Sequence, residues 1–166
     1  MGKRPTITSN PRGTPGVAGF KGQAEYSVDG KGRVPVPAKM RKSMNPDARD
    51  AFVATRGLET CVYLYPADGW ETIEAQMNNL NMFDSEARHF VRTINMWADD
   101  VTLDGQGRAA LPKPLLEFAG IQPGGKALII GSFDHIEIWD PAQFETYLNG
   151  QTKSYDTLAE GVMAGR

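Results

Sequence analysis

Short apolar alternations and longer apolar stripes follow one another along this chain. Gln23 to Val28 alternates polar and apolar residues, the pattern of a short strand. Asp29-Gly30 ends it, and Val34 to Val36 reads as the returning strand of a hairpin. Pro37 stands where a helix begins, Ala38 to Met44 continues it, and Asn45-Pro46 stops it. Ala51 to Thr55 and Cys61 to Tyr65 read as two strands joined by an Arg56–Thr60 turn. Pro66 opens a helix with Trp70, Ile73, Met77 and Leu80 on one face. Asp84-Ser85 caps another, with Ala87, Val91, Ile94 and Trp97.

The order then recurs. Val101 to Leu103 and Ala109 to Leu111 read as strands around Asp104–Arg108, and Pro112 opens a helix. Ala127 to Gly131 and Ile136 to Trp139 are strand-like, and Pro141 opens a helix with Phe144, Tyr147 and Leu148. The recurrence is residue by residue. Asp29, Arg33 and Pro37 match Asp104, Arg108 and Pro112 at an offset of 75. Val62, Leu64, Tyr65 and Trp70 match Ile136, Ile138, Trp139 and Phe144 at an offset of 74. Two β-β-α-β-β-α halves are therefore expected, in an α+β fold that is mainly β with short helices. A half with about four short strands exposes its edges. Two halves closing one barrel together hide them, so a single intertwined unit is expected. The expected organisation is an extension over 1–19, halves over 20–80 and 98–150, a connecting helix over 81–97, and a frayed polar tail over 151–166.

Composition narrows the class. A chain of 166 residues with 40% hydrophobic and 23% charged residues is an ordinary globular protein. No apolar run is long enough to span a bilayer, and the N-terminus lacks the apolar core of a signal peptide, so a cytoplasmic, membrane-free protein is expected. The lone Cys61 cannot form an internal disulfide. The net charge of -2 conceals an asymmetry. Residues 1–56 hold 11 Lys and Arg against 4 Asp and Glu, a balance of +7; residues 57–166 hold 7 against 16, a balance of -9. A basic region of this kind attracts polyanions, nucleic acid first. Residues 1–19 add Lys3, Arg4 and Arg12 to a Gly/Pro/Ser/Thr-rich stretch, either a phosphate-touching arm or an idle tail.

The candidate chemistry lies in the repeated turn, DGKGRVPVPAKMR from Asp29 and DGQGRAALPKPLL from Asp104. An Asp in a glycine turn can accept backbone N–H bonds and fix the loop. The Arg four residues on then has two readings. It is an internal ion pair holding the hairpin, or a rigid fork aimed at a guanine edge or a phosphate. Lys21, Lys31, Arg33, Lys39, Arg41 and Lys42 lie within 22 residues, whereas the second copy has Gln106, Pro114 and Leu116 in place of Lys31, Lys39 and Arg41. Copy one therefore reads as the stronger polyanion face, with Arg33 ahead of Arg108. Gly30-Lys31-Gly32-Arg33 is neither a P-loop nor a dinucleotide fingerprint. His89, His135 and Cys61 lack metal-ligand spacing, Cys61 reads as core, and Asp99-Asp100 as solvated surface. No enzyme, metal, cofactor or small-molecule substrate is expected.

These residues resemble the MraZ family. Phe20-Lys21-Gly22, Asp29-x-Lys-Gly-Arg33 and Pro37-Ala-Lys-x-Arg41 resemble its opening. Asp104-x-x-x-Arg108, Thr55-Arg56-Gly57-Leu58, Leu64-Tyr65-Pro66 and Ile136-Glu137-Ile138-Trp139 resemble the rest, in order, from about Phe20 to Tyr147. The resemblance implies an AbrB-like swapped-hairpin barrel. It implies a bacterial DNA-binding transcriptional regulator, usually a repressor of the division and cell-wall gene cluster it heads. Such regulators bind short direct repeats in double-stranded DNA as homo-oligomeric rings, at the nucleoid. It implies DNA-binding roles for Asp29, Arg33, Asp104 and Arg108, with Lys31 and Lys21 at phosphates; Arg41 joins them as part of the basic flank. The alternative is an oligomeric scaffold whose basic turn takes an acidic protein partner. Three features depart from the pattern: residues 1–19, Pro35 inside a strand, and the weakly basic Lys113-Pro114-Leu115-Leu116.

Overall fold

A computed structural model describes residues 19–48 and 50–165. Lys3, Arg4, Arg12 and the rest of residues 1–18 lie outside it. Among the described residues eight strands form: β1 (Gln23–Ser27), β2 (Arg33–Pro35), β3 (Ala51–Arg56), β4 (Val62–Pro66), β5 (Asp99–Thr102), β6 (Arg108–Ala110), β7 (Lys126–Ser132) and β8 (His135–Trp139). The helices are α1 (Ala38–Arg41), α2 (Ala67–Asn78), α3 (Ser85–Met96), α4 (Lys113–Ala119), α5 (Pro141–Asn149) and α6 (Tyr155–Met163). This is the expected α+β chain, mainly sheet.

The strands joined by the Arg56–Thr60 turn pair as expected, Phe52 opposite Pro66, but the hairpin expected of β1 and β2 does not form. β1 pairs instead antiparallel with β7, Gln23 opposite Ile130 and Ser27 opposite Lys126. β5 in turn pairs with β3, Ala51 opposite Thr102. The six-stranded sheet runs β1-β7-β8-β4-β3-β5, and β2 pairs with β6 in a separate ribbon. Exchanging each strand for its repeat partner reverses this order onto itself. Each half thus gives its first strand to the other half's sheet, and β4 and β8 meet at the centre, Leu64 opposite Ile136. The sheet is not closed into a barrel: β1 and β5 are its free edges, while β2 and β6, three residues each, have only one another.

Strand alternation divides the burial between two faces. Phe52, Ala54, Val62, Leu64, Ile129, Ile136 and Ile138 point to one face, where Val34, Val36, Met40, Ala109, Leu111 and Leu115 close over them in a single core drawn from both halves. Val53 and Tyr65 point the other way, onto Trp70 and Met77 of α2, with Val91 and Ile94 of α3 packed beside them. Buried Thr55 anchors α3 by donating from Oγ1 to the Ile94 carbonyl (2.9 Å). α5 covers the matching face of β8, with Phe144 and Tyr147 against Trp139.

Local signals set the helix starts. Pro37, Pro66 and Pro112 each occupy the N-cap position, where a missing N–H is harmless. Asp84 caps α3 by accepting from Glu86 N–H. α1 is only four residues long, shorter than the expected Ala38–Met44, and a 3-10 turn at Pro46–Ala48 follows it. Residues 155–163, read from the sequence as part of a frayed tail, form α6, capped by Ser154 accepting from Thr157 N–H.

Pro35 has a simple account. Val36 N–H donates to the Gly107 carbonyl (2.9 Å) and Leu111 N–H to the Gly32 carbonyl (3.4 Å). Hydrogen-bonded and non-bonded pairs alternate in an antiparallel ladder. The registered pairs Pro35–Arg108 and Arg33–Ala110 therefore fall on the non-bonded positions. The ring nitrogen of Pro35 faces out of the ribbon, where no partner strand asks for a donor.

Candidate nucleic-acid interface

The two repeated turns are built alike, atom for atom. Asp29 Oδ1 accepts from the backbone N–H groups of Lys31 and Arg33, both at 2.9 Å, and Oδ2 accepts from Arg33 Nε. Asp104 Oδ1 accepts from Gln106 (2.9 Å) and Arg108 (3.0 Å), and its Oδ2 from Arg108 Nε (2.9 Å). In each copy the Asp carbonyl also accepts from a glycine N–H, Gly32 or Gly107. Those glycines have φ of +79° and +75°, a left-handed conformation that glycine adopts without strain. The Arg33 and Arg108 N–H groups point out of the ribbon, as their non-bonded positions require. The Asp side chains satisfy both.

The first of the two readings is visible directly in the geometry. The Asp–Arg pair is an internal ion pair, and it engages each guanidinium through Nε. The backbone N–H of Arg33, above all, holds the Asp29 carboxyl down at about 2, with the Arg33 side chain and Lys31 N–H adding to it. Asp104 is lowered for the same reason, first through the Arg108 N–H.

The β2–β6 pairing sets the two turns side by side. Arg108 Nη1 lies 3.6 Å from Asp29 Oδ2, so one carboxylate stands between Arg33 and Arg108. The side chains of all four residues remain about a third exposed or slightly less, 26% to 33%. Lys31 and its counterpart Gln106 are exposed at the turn tips.

The swap also redistributes the flanks, which sequence reasoning missed. A Cβ on Gly107 would come within 2.8 Å of Arg41 Cζ, and a Cβ on Gly32 within 2.6 Å of Leu116 Cδ1. Each turn is therefore floored by the α-helix of the other half. Arg41, which donates from Nε to the Val36 carbonyl (3.1 Å), sits on the second turn. The turn with the thinner basic sequence has the arginine beneath it; the more basic one has a leucine. This takes Arg41 out of the three charges behind the ranking of Arg33 above Arg108, while Lys31 still stands at the first turn against Gln106 at the second. Lys21 is the candidate not brought into the cluster: it precedes β1 while Asp29 follows it, and Lys39 Nζ lies beside Gly22 at that same far end.

Elsewhere the chemistry is sparse. Cys61 is fully buried and its thiol is pushed up by that burial, then by Glu137 and Glu59. Asp99 and Asp100 are exposed. Among the described residues no cluster of His, Cys, Asp and Glu could hold a metal ion, and no helix is long and apolar enough to cross a membrane.

A family model described as MraZ protein, antitoxin-like, matches the chain twice in tandem, over residues 20–93 and 94–162. A protein of Natranaerobius thermophilus named transcriptional regulator MraZ is 38% identical over 144 residues, covering 87% of this chain and 96% of that protein. A protein of the same name from Thermus thermophilus is 42% identical over 118 residues, 71% of this chain and 79% of that protein. Another, from Lactiplantibacillus plantarum, is 34% identical over 144 residues, 87% and 98% of the two chains.

Proposed function

The chain belongs to the MraZ family, and we propose that it is a sequence-specific DNA-binding transcriptional regulator, not an enzyme, that grips the duplex through its two merged Asp-x-x-x-Arg turns. The observation that carries this reading is the shared carboxylate: Asp29 stands between Arg33 and Arg108 and fixes both guanidinium groups on one rigid ribbon. A guanidinium held at Nε keeps its terminal N–H groups for a guanine O6/N7 pair or for phosphate oxygens. Lys31 at the exposed tip and Arg41 beneath the second turn supply sequence-independent attraction, which falls steeply with salt. Lys21 and Lys39, at the far end of β1, serve phosphates further along the duplex.

One such unit per chain binds modestly. A ring of identical chains presents the unit at fixed spacing, and direct repeats in DNA engage several units together. Effective concentration then turns weak contacts into tight, spacing-sensitive binding. The resemblance of the repeated turns supports a repressor acting at direct repeats upstream of its own division and cell-wall gene cluster, within the cytoplasmic nucleoid.

Titration of labelled DNA from upstream of the protein's own gene, with unlabelled competitor, tests the reading. The expected result is binding that survives excess unrelated DNA and weakens when the repeat spacing is changed. Binding indifferent to sequence would instead favour a scaffold whose basic turns take an acidic protein.

A further inference from the structure

α6 is a helix with no buried residue. At nine residues it is shorter than helices that persist alone in water. Its Tyr155, Leu158 and Val162 share one face and are 87%, 37% and 63% exposed. Asp156 and Glu160, one turn apart, flank that stripe, and neither makes an ion pair among the described residues.

Elsewhere on the chain, α2 and α3 leave an apolar groove of about 450 Å³ beside β4. Leu58, Tyr63, Ile73, Leu80 and Phe90 line it, with Arg56 as the one charged residue in its wall among the described residues. Arg56 lies against the rings of Phe118 and Trp97 and has no carboxylate partner among the described residues. Leu58 is 79% exposed and Phe90 45%. The groove is apolar with one cation; the helix is apolar with two anions.

We propose that α6 of one copy of this chain seats in the α2–α3 groove of the next. Tyr155, Leu158 and Val162 cover Leu58 and Phe90, and Asp156 and Glu160 face Arg56. The proposal rests on the ring reading above and supplies its joint. One helix and one groove per chain make a head-to-tail contact, which closes into a ring when the rotation per copy allows.

The test uses the full chain and light scattering coupled to gel filtration. A helix variant carries Leu158→Asp with Val162→Asp, and a groove variant carries Phe90→Asp; circular dichroism confirms that each folds. The wild type is expected to be a closed oligomer and each variant a monomer. An equimolar mixture is expected to give a dimer and nothing larger, because the helix variant keeps its groove and the groove variant keeps its helix. A monomeric wild type overturns the ring reading and this joint with it. An oligomeric wild type whose variants stay oligomeric, or whose mixed variants stay monomeric, overturns the joint alone.

Discussion

Arg108 reaches across the ribbon to the carboxylate of Asp29, its Nη1 3.6 Å from Oδ2, while Arg33 Nε donates to that same oxygen. Two motifs 75 residues apart in the chain thereby become one site. Asp29 is the hinge of that arrangement, and its protonation is the first thing to measure. Its folded pKa is about 2, against an ordinary value of 3.8. A depressed carboxylate stabilises the fold above its unfolded value, and that contribution is lost as pH falls toward the folded one. The turn is expected to stay intact at pH 5 and to loosen only between about 4 and 2, followed through the Asp29 carboxyl signal in an NMR titration. The Arg33→Ala variant keeps its backbone N–H, the largest cause of the shift, so Asp29 should remain depressed in it. A midpoint near 3.8 in the wild type contradicts the geometry.

The glycines that let each turn close should differ in tolerance. Gly32→Ala and Gly107→Ala both place a side chain at positive φ, a strain of about 1–3 kcal/mol. The Gly32 methyl also strikes buried Leu116 at 2.6 Å, whereas the Gly107 methyl meets the long, partly exposed side chain of Arg41. Gly32→Ala is therefore expected to cost more, and urea unfolding of the two variants ranks them. An equal or reversed ranking would show that Leu116 yields more easily than Arg41.

Pro35 and Val34 make a paired test of the ribbon register. Pro35→Val should change stability by less than about 1 kcal/mol, since its nitrogen faces no acceptor. Val34→Pro should cost about 3 kcal/mol or more, because Val34 sits on a hydrogen-bonded position and is fully buried. Thermal unfolding of both reads this directly, and a stable Val34→Pro chain would mean the register is shifted.

Much of this was legible in the residues. The offset repeat, the proline-led helices and the alternation in β3 and β4 all carry local signals. The partner of β1 was not legible, because a hairpin to β2 and a swap to β7 bury the same alternating face. Pairing is decided by contacts about a hundred residues apart, which a local pattern does not encode. The same swap moved Arg41 from its own turn to the other, so a charge count along the chain misjudged which turn it serves. α6 was missed for another reason: the i, i+3, i+7 stripe of Tyr155, Leu158 and Val162 is present, but it sits among polar residues and Gly161.

Arg41 should then behave as part of the second turn's electrostatics. Arg41→Leu copies the residue at the equivalent position 116 and should leave the fold intact. It is expected to reduce the slope of log affinity against log salt by about one contact. An unchanged slope would assign Arg41 to packing alone.

The most direct measurement is a double-mutant cycle on DNA affinity, using fluorescence anisotropy with upstream repeat DNA and the chains Arg33→Ala, Arg108→Ala and both together. Each single substitution is expected to weaken binding by roughly tenfold to a hundredfold, the scale of one lost bidentate contact. The double variant should be clearly less than additive, because the two arginines share one carboxylate and one ribbon. Wild-type affinity in both single variants, with the fold intact, would contradict the account.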